Sequence, residues 1–235
     1  MQQPDMLPQF TQVTCRYREH VLRLTVPAGE SFLAGDIFLR NEYPLTGLKG
    51  VFRKPVIVDV GANVGLFALY MHLNIKGAVI HCFEPSAALC GALRRNLAGC
   101  PEVRLHAVAL SDHDGRELFN LNTRKAGQSS LHSVTGPQGE GWVREHVDVR
   151  HAGRAFDELG IDHADILKID TEGSEPEILE SLGPRLDGVK HLYIEYHSLR
   201  DLARIRALLS GFEETSCVAR GDAVGVLRFM HRSLR

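Results

Sequence analysis

VIVDVGANVGLF, residues Val56 to Phe67, decides the reading of this chain. Val56 to Val60 is a continuous apolar run of strand length, broken only by Asp59, and Val64 to Ile75 carries apolar residues at helical spacing. Between them lies Gly61-Ala-Asn-Val-Gly65. Glycine at a strand-to-helix turn tolerates positive φ and lets backbone approach a ligand closely. The helix beyond it begins with unpaired N–H groups. Asp59, at the end of the strand, is placed to orient the loop or to meet a ligand amine.

Outward from this turn the pattern is regular. Ala78 to Phe83 reads as a strand, Ser86 to Leu97 as a helix with Ser86 as N-cap, and Val103 to Leu110 as a third strand. This β-α-β-α-β order predicts a doubly wound, mostly parallel sheet with helices on both faces. Glu117 to Asn122 and Glu145 to Arg150 read as strands flanking a polar loop, Thr123 to Gly141. Arg154 to Leu159 (helix), Ala164 to Ile169 (strand), Glu175 to Leu182 (helix), Val189 to Tyr196 (strand) and Leu199 to Leu209 (helix) follow. Phe212 to Val218 and Ala223 to Met230 are expected to form an antiparallel C-terminal hairpin. Residues 1–54 differ in pattern, with strands at Val13 to Tyr17 and His20 to Val26 and a short helix in Glu30 to Leu39. They read as a small lead-in or lid on a domain spanning 55–235, being too short to bury a core alone.

His81-Cys-Phe-Glu84-Pro85 closes the second strand. An acid about 20 residues past a Gly-rich turn is placed to accept both hydroxyls of a ribose, since two carboxylate oxygens match a vicinal diol. Gly61, Gly65 and Glu84 therefore suggest an adenosine-containing cofactor. A dinucleotide would want G-x-G-x-x-G, with its pyrophosphate on the helix N-terminus. Asn63 stands where the second glycine of that motif belongs, which favours S-adenosylmethionine over NAD.

These residues resemble the FkbM family of methyltransferases. The resemblance rests on VDVGANVGLFALY (Val58 to Tyr70), FEPS (Phe83 to Ser86), VALSDHDG (Val108 to Gly115) and LKIDTEGSEPEIL (Leu167 to Leu179), with IEYH (Ile194 to His197) as a weaker addition. It implies the seven-stranded, Rossmann-like class I methyltransferase fold and O-methylation of a hydroxyl on a natural product such as a polyketide, or on a sugar. It also implies that Asp59, Gly61 and Asn63 surround the methionine part of the cofactor, that Glu84 holds the ribose, and that Ser111 and Asp112 lie near the adenine.

Methyl transfer to a hydroxyl needs a proton acceptor, or a metal on the oxygen. Lys168-Ile-Asp170-Thr-Glu172 ends one strand, with Lys168 and Asp170 on the same face. Asp170 is expected beside the cofactor. Glu195-Tyr-His197 ends the next strand, and Glu195 and His197 share a face. His197 is the first choice as general base, helped by Glu195. The second choice is Mg²⁺ held by Asp170 and Glu195. Tyr43, Ser129, Ser130, Trp142 and Glu172 are the candidate acceptor contacts, with Gln128 to Leu131 as a polar lip and Asn41 to Tyr43 closing from the N-terminal side.

A formal net charge of −2 argues against a nucleic-acid footprint. No apolar run reaches the length of a membrane span, and the N-terminus lacks secretory-signal character, so a cytoplasmic location is expected. The five cysteines include no C-x-x-C pair. The competing functions are a non-catalytic cofactor-binding or regulatory subunit and an NAD-dependent oxidoreductase. The acceptor and the oligomeric state are not legible at this level.

Overall fold

The computed structural model describes residues 7–48, 53–131 and 141–234. The chain opens with an antiparallel hairpin, β1 (Phe10–Tyr17) and β2 (His20–Pro27), then a 3-10 turn, Ala28–Glu30, and helix α1 (Leu33–Phe38). Next come β3 (Val56–Val60), α2 (Leu66–Asn74), β4 (Val79–Phe83), α3 (Ala87–Asn96) and β5 (Val103–His106). They are followed by β6 (Ala109–Ser111), β7 (Gly115–Asn122), β8 (Trp142–His151) and α4 (Ala152–Leu159). The chain ends with β9 (Ala164–Ile169), α5 (Glu175–Leu182), β10 (Val189–Tyr196), α6 (Leu199–Leu208), β11 (Phe212–Ala219) and β12 (Gly225–His231).

The central sheet has seven strands in the order β11-β12-β10-β9-β3-β4-β5. Strands β3, β4, β5, β9 and β10 run parallel, and β12 and β11 join antiparallel as the C-terminal hairpin. From β3 the chain winds outward through β4 and β5, then returns to add β9 and β10 on the other side. The order therefore reverses between β3 and β9, and open α/β sheets bind ligands at the carboxyl edge of such a point. Gly61 and Asp170 are the residues that leave the sheet there.

Alternation along the strands divides the core in two. Ile57 and Ile166 face a cluster that includes Leu24, Val26, Phe38, Tyr43 and Phe67, so the N-terminal segment shares the core of that face. Val58, Val60, Leu167 and Ile169 face a second cluster, packed by Ile178, Leu179 and Ile205 of α5 and α6.

Two local expectations change. Val103 to Leu110 is not one strand. It bends after His106, and β6 pairs with β8 in a separate three-stranded sheet, β6-β8-β7. Apolar spacing continues across the bend, so periodicity alone does not reveal it. Ser86 occupies the N-cap position of α3, but its hydroxyl makes no capping bond. Its N–H instead donates to Glu84 Oε1 at 2.9 Å. Of the polar loop Thr123 to Gly141, residues 132–140 lie outside the described residues.

Candidate active site

The loop after β3 is set by its closeness to the end of β9. Gly61 has φ 75°, and a Cβ on it would lie 1.8 Å from the carbonyl oxygen of Asp170. Only glycine allows both the left-handed turn and this approach. Asn63 is also left-handed, φ 49°, a conformation asparagine tolerates better than most residues. Beneath the loop lies a buried ion network. Lys168 Nζ donates to the Gly61 carbonyl at 2.8 Å and sits 3.1 Å from Asp59 Oδ1 and 3.5 Å from Asp170 Oδ2. Burial raises the Asp59 carboxyl pKa, and the Lys168 charge and hydrogen bond oppose it. This ammonium fixes the Gly61 carbonyl and one Asp170 oxygen relative to each other.

Glu84 is 3% exposed and spends one bond from each oxygen on the main chain. Oε2 accepts from the Asn63 N–H and Oε1 from the Ser86 N–H, both at 2.9 Å. Burial pushes its pKa up to about 8, against the pull of those N–H groups. Each carboxylate oxygen keeps a lone pair for a hydroxyl donor. The cavity beside it runs from Gly61, Asn63 and Glu84 to an apolar wall of Leu89, Val108, Leu110 and Phe119. That is the chemistry of a ribose followed by a purine face. No Lys or Arg is among the described residues lining it, which suits a pyrophosphate poorly. Asn63 Oδ1 is buried there without a partner, as expected of an atom kept for a ligand. The residues present therefore fit the adenosyl cofactor.

A second cavity, about 370 Å³, continues past the loop and shares Gly61, Asn63, Gly127, Asp170 and Glu172 with the first. Its far walls are Tyr43, Glu195, His197 and Arg220, closed over by Glu30, Phe32 and Leu33 of the N-terminal segment. Apart from Glu30 and Lys125, its charges are paired across chain-distant segments. His197 Nδ1 lies 3.3 Å from Glu175 Oε1, and Nε2 lies 3.4 Å from Glu172 Oε2. Burial by itself would lower the imidazole pKa. Its pairing with the Glu172 and Glu175 carboxylates outweighs it and raises the value to about 11. Glu175 also accepts the Thr171 and Gly173 N–H groups, which closes the turn before α5. Glu172 holds φ 59° in that turn. Arg220, from the β11–β12 turn, donates to Glu195 Oε1 at 2.9 Å and also pairs with Glu42. Burial, then Asp170, pushes the Glu195 carboxyl up to about 9, and the charges of His197 and Lys168 oppose that.

The structure gathers Asp170, Glu172, Glu195, His197 and Tyr43 on one cavity, and Gly61, Asn63 and Glu84 on the other. Several expected contacts fall elsewhere. Asp59 is 0% exposed and lines neither cavity, so it acts through Lys168. Gly65 packs against α3, where a Cβ would meet Leu93 and Leu97 at 2.9 Å. Ser111 and Asp112 stand just outside the purine wall, which this stretch builds from Val108 to Leu110, and Asp112 is engaged by His113 at 2.7 Å. Ser129 accepts the Asn122 N–H and lines the Glu84 cavity rather than an acceptor lip. Ser130 is fully buried and donates to the Glu172 carbonyl at 2.7 Å. Trp142 starts β8 opposite Asn122 and lines neither cavity.

His197 is where sequence placed it, but its carboxylate partners raise its pKa to about 11, which favours the imidazolium, a form with no lone pair to accept a proton. The pairing of Asp170 with Glu195 for a cation is also displaced, because Arg220 occupies Glu195. The ligand atoms that converge within 4.8 Å belong instead to Asp170, Glu172 and His197. Glu30, Lys168 and Arg220 escaped notice as site residues. Of these only Lys168 carries a signal, a charge directly between the apolar Leu167 and Ile169 of a buried strand.

This fold and cleft define a class I methyltransferase. The chain belongs to the FkbM methyltransferase family: residues 59–218, more than half of it, match the Methyltransferase FkbM domain. It is an S-adenosylmethionine-dependent enzyme of that type. It is 30% identical to 31-O-demethyl-FK506 methyltransferase FkbM of Streptomyces tacrolimicus, over 79% of this chain and 82% of that one. It is 28% identical to 2-O-methyltransferase NoeI of Sinorhizobium fredii, over 74% of this chain and 78% of that one. It also matches AMB antimetabolite synthetase AmbE of Pseudomonas aeruginosa at 27% identity, over 71% of this chain but only 9% of that much longer one. Among solved structures, methyltransferase FkbM from Methylobacillus flagellatus shares the fold with a TM-score of 0.54 at 18% identity, covering 78% of this chain and 46% of that one. No helix among the described residues is long and apolar enough to cross a membrane.

Proposed function

We propose that the protein is an O-methyltransferase acting on a hydroxyl of a small molecule, a natural product or a sugar. One observation carries this reading: Asp170 and Glu172 line both cavities, so the donor cavity opens onto a second, mixed-polarity cavity at a carboxylate edge. Its volume suits a small-molecule group. The printed activities of two relatives, a 31-O-demethyl-FK506 methyltransferase and a 2-O-methyltransferase, support oxygen as the acceptor atom.

When bound, S-adenosylmethionine supplies an electrophilic methyl group. The chain's part is to orient the acceptor, exclude water and take the hydroxyl proton. His197 was the expected base. Held between Glu172 and Glu175, it serves better as a fixed positive charge that keeps those carboxylates in place. Glu195 is the better proton acceptor in its ionised form: burial, then Asp170, raises its pKa to about 9, below the value of about 11 for His197, so turnover should rise as pH approaches 9. The hydroxyl proton would pass to a Glu195 oxygen as the carbon–oxygen bond forms and the methyl–sulfur bond breaks, leaving the donor's sulfur as a neutral thioether.

The test is incubation with labelled methyl donor and a panel of polyol, sugar and macrolide alcohols. Glu195→Gln is expected to lower kcat by about 10²-fold or more with little change in donor binding. Transfer to nitrogen or carbon acceptors alone would overturn the reading. A second reading has its own observation, the convergence of Asp170, Glu172 and His197, which could seat a divalent cation. Loss of turnover with chelator, restored by Mg²⁺ or Mn²⁺, would favour it over Glu195.

A further inference from the structure

Glu30 stands in the lead-in segment, far in sequence from every motif, yet its side chain lines the cavity beside Asn63. It is 4% exposed. Both its oxygens accept the Gly127 N–H at 3.1 Å. Main-chain groups of Gly127 and Ala126 act on it more strongly than the cationic Lys125, and no ion-pair partner lies within 4.0 Å among the described residues. A buried carboxylate satisfied only by neutral donors is costly unless a cation completes it. Lys125 also lines this cavity but makes no ion pair with Glu30, and the remaining charges are engaged elsewhere. Lys168 pairs with Asp59 and Asp170, His197 with Glu172 and Glu175, and Arg220 with Glu42 and Glu195.

The chain also builds this position closely. A Cβ on Gly29 would lie 2.2 Å from the Arg124 carbonyl oxygen, and one on Gly127 would lie 3.1 Å from Glu30 Oε1 and 3.8 Å from Asn63 Nδ2. Two glycines, one on each side, let the Pro27–Glu30 turn press against the 124–127 segment and deliver the carboxylate next to the cofactor loop. Glu84 lines the first cavity and Glu30 the second, and the two cavities share Gly61, Asn63 and Gly127.

We propose that Glu30 binds the α-ammonium group of the methionine end of S-adenosylmethionine. The N-terminal segment then contributes a charged contact to the cofactor site and is more than a cover. The proposal rests on the cofactor reading above, since only an amino-acid-bearing nucleoside places a cation at that end.

The test is calorimetry on the full chain with three probes: S-adenosylhomocysteine, its deaminated analogue, and 5′-methylthioadenosine, which lacks the amino-acid end. The wild type should bind S-adenosylhomocysteine at least tenfold more tightly than the deaminated analogue. Glu30→Gln should abolish that preference while leaving 5′-methylthioadenosine affinity within twofold. No wild-type preference for the ammonium overturns the proposal without needing any variant to fold. So does a Glu30→Gln variant that weakens all three probes equally, or none. If the wild type binds neither S-adenosylhomocysteine nor 5′-methylthioadenosine, the cofactor reading itself fails and takes the proposal with it.

Discussion

The two halves of the cleft are built by different means. The adenosine half is main chain: Gly61 turns against the Asp170 carbonyl, and Glu84 is held by the N–H groups of Asn63 and Ser86. The acceptor half is side chain: Glu172, Glu195, His197, Arg220 and Glu42 hold one another through ion pairs drawn from β10, the turn after β9, the terminal hairpin and the N-terminal segment. A main-chain site fails sharply when backbone geometry changes. A site of paired side chains can exchange members while its frame stands. The first half should therefore be intolerant of substitution and the second adjustable.

The largest effect is expected at Gly61. Gly61→Ala drives a Cβ into the backbone of Asp170, which no side-chain rotation relieves, and should cost about 3 kcal/mol or more. Thermal melting should show a much less stable protein that binds no S-adenosylhomocysteine. Gly65→Ala, strained at φ 80°, meets Leu93 Cγ and Leu97 Cδ1, side-chain atoms that can give way, and should cost less while sparing the cofactor. Equal damage at both positions would break the distinction between a main-chain contact and a packing contact.

Next is His197. His197→Gln leaves Glu172 and Glu175 without their cation. Breaking a buried pair typically costs about 3–5 kcal/mol. About 2 kcal/mol is expected here, because Glu175 keeps its Thr171 and Gly173 donors. The pH dependence has a definite sign. The folded pKa, about 11, lies above the ordinary value of 6.5, so the stabilisation is fully present below about pH 6.5 and is lost as pH rises toward 11. The gap in melting temperature between wild type and variant should be widest near pH 6 and narrow by pH 10. Donor affinity should hold. A gap that widens with pH would mean His197 is neutral in the folded protein and would restore it as a base.

Glu84→Gln tests the adenosine half by chemistry instead of sterics. One oxygen acceptor becomes a donor facing the ribose, so affinity for S-adenosylhomocysteine should fall roughly tenfold, about 1.4 kcal/mol. Since burial holds the Glu84 pKa near 8, wild-type affinity should also rise as pH passes that value, when the carboxylate gains its full accepting capacity. Titration calorimetry between pH 6.5 and 9 reads both effects, and a flat profile would show that Glu84 is ionised throughout.

The same division explains what the sequence disclosed. Gly61, Asn63 and Glu84 sit at strand ends in one βαβ unit, so local spacing places them together. Ala164–Ile169 and Val189–Tyr196 emerge with the expected bounds because buried strands are rich in apolar residues, here interrupted only by Asp165 and Lys168 in the first and by Lys190, His191 and Glu195 in the second. His197 and Glu195 are placed by alternation, but their Glu175 and Arg220 partners come from tertiary packing and leave no periodic trace. Glu30 lies in an ordinary Pro-Ala-Gly-Glu turn whose meaning appears only when Gly127 folds against it. Ser129 and Ser130 looked like a polar lip because solvent-facing and hydrogen-bonded serines read alike in sequence. Their burial follows from bonds to Asn122 and Glu172.

The smallest effect is expected at Arg220, and it sharpens the comparison most. Its side chain is 37% exposed, so its pairs with Glu42 and Glu195 are screened, and Arg220→Ala should change stability by no more than about 1 kcal/mol. Yet it stands on the wall between the inner cavity and an outer groove that runs past Phe32, Pro44 and Val218. Removing it frees Glu42 from the hairpin and widens the passage. The acceptor KM should shift several-fold, upward for small alcohols that lose a confining wall and less for bulky ones, while S-adenosylhomocysteine affinity stays within twofold. Steady-state kinetics with a small and a large hydroxyl acceptor decides it. A matched loss of donor affinity would show that the two halves are mechanically one, and the adjustable half would then be no more replaceable than the loop it faces.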